Sequence, residues 1–510
     1  MIDYLLVLGI SLIVRLYPVR SSMAAFDTYG HIYYASEVKG QNAGPWGVIL
    51  PKSWSPGEMH HPFFWHWLVG LFPINKVLKY HNWVNGAIDS LFSVFVYTLL
   101  IRLEVNQQTA WLGVLLYLFT PMWFSSLSMG PRVNSLTPRL FSELCLNLMF
   151  VVLLLDIGIP EWAQITITIA LSFVILISSK FGLQALLFLV PIVSLFEFSA
   201  KPLIAALGGV ILAALLSRGR IIKMLSRQLT HLTEYYHRNM VSATSISDRN
   251  QFLKIFRRAG SSKDDWRTIL MKLITVNSYT AVIIKMPVYI AALILIISGV
   301  ISQKVGLSSP LITPVLAATI VYILINRPRL LFLGEAERYL NHVAVFIVVA
   351  SIFLAMQTNS IWVLWALVVY GVVFWFLEVI ILDRVSSSKR RKEADDVVEE
   401  FLLSGSKSRL IFSFPYHNFC LYRVMLCTPH HVIFPYHMSA EVRNNFVEHF
   451  EYCQPYLNLG KLDEIENETG CDTLIIDKRA ASAEGFGDWL PSKRWKKVNL
   501  EQSVYDIYER

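Results

Sequence analysis

Apolar residues fall in long blocks along this chain instead of alternating with polar ones, with short polar stretches between the blocks. A bilayer crossing needs about 20 mostly apolar residues, and about eleven blocks approach that length. They begin near Tyr4, Ala87, Gln108, Arg139, Glu161, Gly182, Pro202, Val282, Ser308, Leu340 and Ile361. The pattern predicts a polytopic α-helical membrane protein of about 11 transmembrane helices. The first block, Tyr4 to Tyr17, is short enough to be mistaken for a secretory signal. No basic run precedes it and no small-residue cleavage site follows, so it is expected to remain as a first helix.

Three polar segments interrupt the blocks. Chemistry is expected there, because polar groups and irregular backbone are costly in lipid. The first, residues 21–85, is a loop rich in Trp, His and Pro. The second, residues 217–276, is basic and partly amphipathic, which suits interfacial helices. The reading gives a membrane domain over residues 1–383 that includes both segments, a charged linker over 384–404 and a small α/β soluble domain over 405–510. In the last, RLIFSF, HHVIFPY and DTLIID read as strands, AEVRNNFVEHFEY as an amphipathic helix and LDEIENETG as a helix and turn. It carries no GxGxxG, P-loop or nucleophile-elbow pattern, and a docking or lid domain without chemistry is the plain alternative.

Of the 510 residues 54% are hydrophobic and 16% charged, which excludes an ordinary soluble protein. The net charge of +8 comes mostly from clusters beside the blocks, Arg218 to Arg227 and Lys389 to Lys392. Contact with anionic lipid accounts for them without nucleic acid. The five cysteines have no metal-ligand spacing.

Four constellations could carry chemistry. In FDTYGHIYYASEVKG, Asp27 and His31 are four residues apart and share a face of a helix, where a carboxylate and an imidazole can activate an acceptor or bind a metal. The structural alternative is an N-cap aspartate beside an interfacial histidine. In GEMHHPFFWHWLVGLF, Glu58, His60 and His61 precede an aromatic segment suited to the membrane surface, although HH is not by itself a zinc spacing. Arg132, Arg139 and Lys180 stand at span ends; such cations usually snorkel to headgroups, but guanidinium pairs also hold phosphate bidentately. In NRPRLLFLGEAERYLNHV, Arg329, Glu335, Glu337 and Arg338 bring four charges to a membrane boundary, as an ion-pair network or as a site.

FDTYGH after the first helix, the interfacial HHPFFWHW and the lysine-containing span end ISSKFGLQALLFLVP together resemble the C-type membrane glycosyltransferases. This class includes protein mannosyltransferases, lipid A aminoarabinose transferases and the catalytic subunit of oligosaccharyltransferase. The resemblance runs in order over about the first 200 residues. It implies a polyprenyl-phosphate sugar donor, transfer to a lipid, glycan or protein acceptor at the outer membrane face, and no nucleotide-binding domain. It further implies Asp27 as the base for the acceptor, with His31 beside it, and Arg132, Arg139, Lys180 and Arg338 on the donor phosphate. Glu58, His60, His61, Glu335 and Glu337 would be acceptor or metal candidates. The acidic motif has one aspartate and no DxD, so a divalent cation is a candidate cofactor only.

With a cytoplasmic amino terminus and eleven spans, the first loop, the second segment and the terminal domain all lie outside an inner or plasma membrane. The competing function is a transporter or flippase of lipid-linked glycans. That reading favours internal repeats and midplane charges; no repeat is visible, and the ionisable residues gather in loops and at span ends.

Overall fold

The computed structural model of the chain describes residues 1–19, 26–41, 46–59, 61–125, 132–133, 135–234, 273, 277–303, 306, 308–384, 387–405, 407–414, 419–434, 438, 442, 445–446, 459–483, 491–501 and 504–510. An apolar helix stands at each predicted block, from α1 (Ile2–Leu16), α4 (Ile74–Arg102) and α5 (Gln107–Phe119) to the last at Ile361–Arg384. Among the described residues, three helices are long and apolar enough to cross a membrane, or up to five if each bent pair is one span. Most of the others run 13–17 residues. Hydropathy smooths over the breaks that shorten them. Thr120 and Ser179 are extended where α5 and the Glu161–Ser178 helix end, and Pro287 opens a bend of 87° after Lys285. The described part of the second polar segment is an amphipathic helix, Arg220–Glu234, whose Arg220–Leu229 part turns 118° from the preceding helix.

Contacts divide the chain into two compact units. The membrane unit comprises the helices of Met1–Ser21, Tyr80–Thr233 and Thr244–Leu382. Its centre holds charges. Arg15 of α1 is fully buried, with Nε 2.6 Å from Asp89 Oδ2 of α4, and its terminal nitrogens donate to the Leu118 and Tyr117 carbonyls at 2.7 and 3.3 Å. The Tyr117 hydroxyl donates to Asp89 Oδ1 at 2.6 Å. Arg132 reaches the same carboxylate at 3.5 Å and Glu143 Oε2 at 2.7 Å. Two guanidiniums thus meet two carboxylates, and the Asn147 side chain continues the network, accepting from Val345 N–H and donating to the Asn341 carbonyl.

The second unit joins Ser22–Lys79 to Asp383–Arg510, where the sequence reading had placed the loop with the membrane helices. A five-stranded sheet, β3 (Leu410–Phe414), β4 (His431–Val432), β5 (Thr473–Asp477), β6 (Lys496–Val498) and β7 (Tyr505–Glu509), runs in the order β4-β3-β5-β7-β6. β3 pairs parallel with β4 and β5, and β7 is antiparallel to β5 and β6. All five residues of β5 are buried, its apolar centre Leu474 to Ile476 covered on both faces of the sheet. The loop covers the β4 edge: Val432 N–H donates to the Lys52 carbonyl and Trp54 N–H to the Val432 carbonyl. Lys52 Nζ donates to the Thr428 carbonyl at 2.6 Å, and helix α2 (Phe26–Gly40) packs on the Phe419–Cys427 helix. The predicted linker is instead a helix, Ser387–Ser404, because Ala394, Val398 and Leu402 recur every four residues and are buried beneath its charges. The expected AEVRNNFVEHFEY helix lies largely outside the described residues.

Two outcomes follow. Asp89→Asn leaves two buried arginines with one carboxylate, and removing a partner from a buried ion pair costs about 3–5 kcal/mol; thermal unfolding in detergent should show a clear drop in melting temperature, and an unchanged one would refute the pairing. Because loop and terminal domain form one unit, cysteines placed at the exposed Lys39 and Lys497 of a cysteine-free variant should react from the same side of intact membranes. Reaction from opposite sides would break the unit apart.

Candidate functional site

In the membrane unit, two of the four predicted phosphate residues meet at one ring, and a third neighbours that ring in sequence. Arg139 lies with its guanidinium carbon 5.0 Å from the Phe181 centroid, Arg338 lies 4.5 Å from the same centroid, and Lys180 precedes Phe181 in the chain. Local sequence places them. Pro138 opens the Pro138–Leu154 helix, so Arg139 occupies its first turn. Ser179 breaks the chain after Ser178 and caps the Lys180–Phe196 helix through Gly182 N–H, so Lys180 is its first residue. The two first turns abut at Gly182, where an added Cβ would lie 2.8 Å from Ser142 Cβ. Opposite them, Gly334 has φ +104°, and a Cβ there would lie 2.9 Å from the Phe181 ring. Glycine at both positions lets two helix starts and the Arg338 turn close on Phe181. Unsatisfied N–H groups and the positive ends of helix dipoles favour an anion at such starts. Glu335 pairs with Arg338 at 2.5 Å.

Arg132 does not join them, and its assignment to the donor phosphate is corrected. It is 3% exposed and its Nε and Nη2 are engaged by Glu143, Asp89 and Tyr117. Seven residues along the chain, Arg139 turns to a different partner; proximity in sequence could not distinguish the two. Glu337 accepts from Ser278 Oγ at 2.8 Å and lies in the electrostatic surroundings of the buried Lys285, as does buried Glu378 of the last helix. Lys285 and Glu378 were missed, although a lone ionisable residue inside an apolar run is itself the signal.

In the second unit, Asp27 occupies the first turn of α2 and His31 the next. His31 Nδ1 is 2.8 Å from Nε2 of His66, in the short helix α3 (Phe64–Gly70), whose Nδ1 donates to the Pro62 carbonyl at 3.0 Å. His61 stands 6.4 Å from His31 and 5.1 Å from Tyr34, centroid to centroid. His66 was not singled out from HHPFFWHW; its signal is its place in an interfacial aromatic run, behind His31 on a packed helix. Burial, reinforced by the neighbouring His31, holds His66 well below the ordinary imidazole range. Burial also raises Glu37 and lowers Lys52 nearby. Glu58 is in a two-stranded antiparallel ribbon, paired with Ile49, and His60 lies outside the described residues. Among the described residues no group of three or more His, Cys, Asp or Glu could hold a metal ion, so no step is assigned to one.

The architecture is similar in fold to that of an archaeal oligosaccharyltransferase. The archaeal oligosaccharyltransferase of Archaeoglobus fulgidus, in complex with an inhibitory peptide and a dolichol-phosphate, aligns with 95% of this chain and 70% of its own, at 12% identity and a TM-score of 0.51. The same enzyme tethered to an acceptor peptide gives 99% and 74%, 12% identity and a TM-score of 0.52, and its complex with Zn and sulfate gives 99% and 72%, 10% and 0.50. At such identities the likeness is one of fold. No protein-family model matches the sequence, and comparison with curated proteins gives no match.

The low pKa of His66 sets a pH dependence. Unfolded, the ring takes up a proton below about pH 6.5; folded, it stays neutral to lower pH. Its contribution to stability is therefore full above about 6.5 and declines as pH falls, by up to about 1.4 kcal/mol per pH unit. His430, also lowered by burial, acts in the same direction and Glu37 in the opposite one. The diagnostic is thus the difference between variants: His66→Gln should lose less melting temperature than the wild type between pH 7.5 and 5.5. Equal losses would contradict a buried neutral ring.

Proposed function

We propose that this chain is a membrane glycosyltransferase that moves a sugar from a polyprenyl-phosphate-linked donor to a lipid, glycan or protein acceptor at the outer face of a cell or inner membrane. The observation that carries the reading is the placement of Arg139 and Lys180 at two abutting helix starts, with Arg139 and Arg338 both against the Phe181 ring. A lipid phosphate brings its negative charge to span ends, and cations already in position stabilise the charge that grows on the leaving oxygen. The planar guanidinium fork suits phosphate oxygens better than an ammonium does. The dolichol-phosphate bound by the archaeal enzyme of like fold supports a donor of this class.

In this scheme Asp27 takes the proton of the acceptor hydroxyl or amine as its heteroatom bonds to the anomeric carbon. The bond from that carbon to the phosphate oxygen breaks, and polyprenyl phosphate leaves, held by the three cations. Glu335, paired with Arg338, sets the position of that cation. His31 supplies a second base-type group on the acceptor side. A divalent cation is a further candidate component, although the described residues gather no group of three or more His, Cys, Asp or Glu that could hold one.

The test is transfer from a polyprenyl-phosphate sugar by purified protein in liposomes. Asp27→Asn should fold normally and lose turnover, because an amide accepts no proton. Arg139→Lys, Arg338→Gln and Lys180→Gln should each slow transfer about tenfold to a hundredfold, since a charge-assisted contact contributes roughly 1.5–3 kcal/mol. Arg132→Gln should instead lower stability, with turnover per folded molecule little changed. Lipid translocation without transfer would replace this reading with a flippase, and normal transfer by Asp27→Asn would remove Asp27 from the mechanism.

A further inference from the structure

The contacts of His66 determine more than its own state. A carbonyl oxygen only accepts, so the 3.0 Å contact between Pro62 O and His66 Nδ1 places a hydrogen on that nitrogen. A neutral imidazole carries one N–H, so His66 Nε2 presents a lone pair. Nε2 lies 2.8 Å from His31 Nδ1, so the hydrogen between the two rings belongs to His31. Neutral His31 then has its proton on Nδ1 and a lone pair on Nε2. A cationic His66 would reverse this order, but the ring is 1% exposed, faces another imidazole and lies against Tyr34.

We propose that His66 is a positioning residue: through its hydrogen bond from Pro62 to His31 it fixes His31 as the Nδ1–H tautomer, leaving Nε2 as the atom that accepts a hydrogen bond or proton from the sugar acceptor. The proposal deepens the assignment of His31 to the acceptor side and rests on that reading for its consequence in catalysis. The relay itself stands on the geometry alone. A ring nitrogen's role is set by what the other nitrogen bonds. Without His66 the imidazole would lose the acceptor that holds its hydrogen on Nδ1, and with the hydrogen moved to Nε2 it could no longer receive one there. Helix α3 thereby acts at one remove: Pro62 orients His66 one turn later, and His66 orients His31 across the α2–α3 contact.

The relay is read directly by nitrogen NMR of full-length protein carrying ¹⁵N-histidine in lipid bilayers, with His31 assigned by the signals lost in His31→Gln. In the wild type at pH 8, His31 should show a protonated Nδ1 and an unprotonated Nε2. His66→Leu removes the acceptor and should move the hydrogen toward Nε2. His66→Gln, whose amide oxygen can occupy the Nε2 position and whose amide nitrogen donates, should preserve the wild-type pattern. In the transfer assay, His66→Leu should lose at least about tenfold in kcat over KM for the acceptor, with the donor KM unchanged, and His66→Gln should recover most of it. Wild-type His31 protonated at Nε2, or a His31 pattern unaltered in folded His66→Leu, would overturn the relay; if His66→Leu fails to fold, the wild-type and His66→Gln spectra decide it. Absence of sugar transfer by the wild type with the expected spectra would count against the proposed function and leave the relay standing.

Discussion

The buried arrangement of Arg15, Asp89, Arg132 and Glu143 is the constraint on which the membrane unit depends. Each of these charges alone in a low-dielectric interior would be severely destabilising, so none can be placed without the others. They come from four separate parts of the chain, α1, α4, the loop before Pro138 and the helix that follows. Satisfying them fixes the orientation of α1 against α4 and α5, because Arg15 has to reach both Asp89 and the carbonyls at the end of α5. It also anchors the loop that leads into Pro138. Arg139 can therefore be presented to Phe181 only because Arg132, a few residues earlier, is held inside.

A second constraint is topological. The loop after α1 supplies an edge to the terminal sheet and a carbonyl-bound lysine to the helix beside it, so both segments lie on one face of the bilayer. The chain between them must then cross an even number of times, whichever of the short and bent helices are crossings. This parity agrees with a count of eleven spans that includes α1, without establishing that count. It gives the terminal domain a structural part as well: it is the other half of the fold that holds Asp27 and His31.

Much of this was legible in the sequence, for reasons that also explain what was not. Hydrophobic blocks located the helices because period and length are local properties, and β3, β4 and β5 were legible as short apolar runs. β6 and β7 escaped because Lys496, Lys497 and the acids around Tyr505 conceal their alternation. The charged character of the 384–404 stretch hides its helix because six charged residues, Arg384 and Lys389 to Glu393, precede the four-residue apolar stripe that begins at Ala394. Arg139, Lys180 and Arg338 are singled out in the sequence by the cost of cations at span ends. Arg132 was grouped with them by the same argument, since cost alone does not say whether a cation is met by a carboxylate inside or by a ligand outside. The missing signals were Asp89 and Glu143, single acids in otherwise apolar runs whose partners are distant in sequence.

The two arginine groupings of the membrane unit show how packing can separate structure from chemistry. Around Asp89 each arginine is matched to carboxylates and carbonyls through most of its donors, an arrangement that spends hydrogen bonds on cohesion. Around Phe181 the guanidiniums of Arg139 and Arg338 lie against the face of a ring, and Arg338 is also paired with Glu335. In the first arrangement carboxylates already occupy Nε of Arg15 and Nε and Nη2 of Arg132, and a phosphate oxygen would have to displace a desolvated carboxylate at those atoms. In the function proposed above, the second arrangement would hold its cations in place before the charge of a leaving group develops, so that part of their ordering cost is already met when the bond breaks.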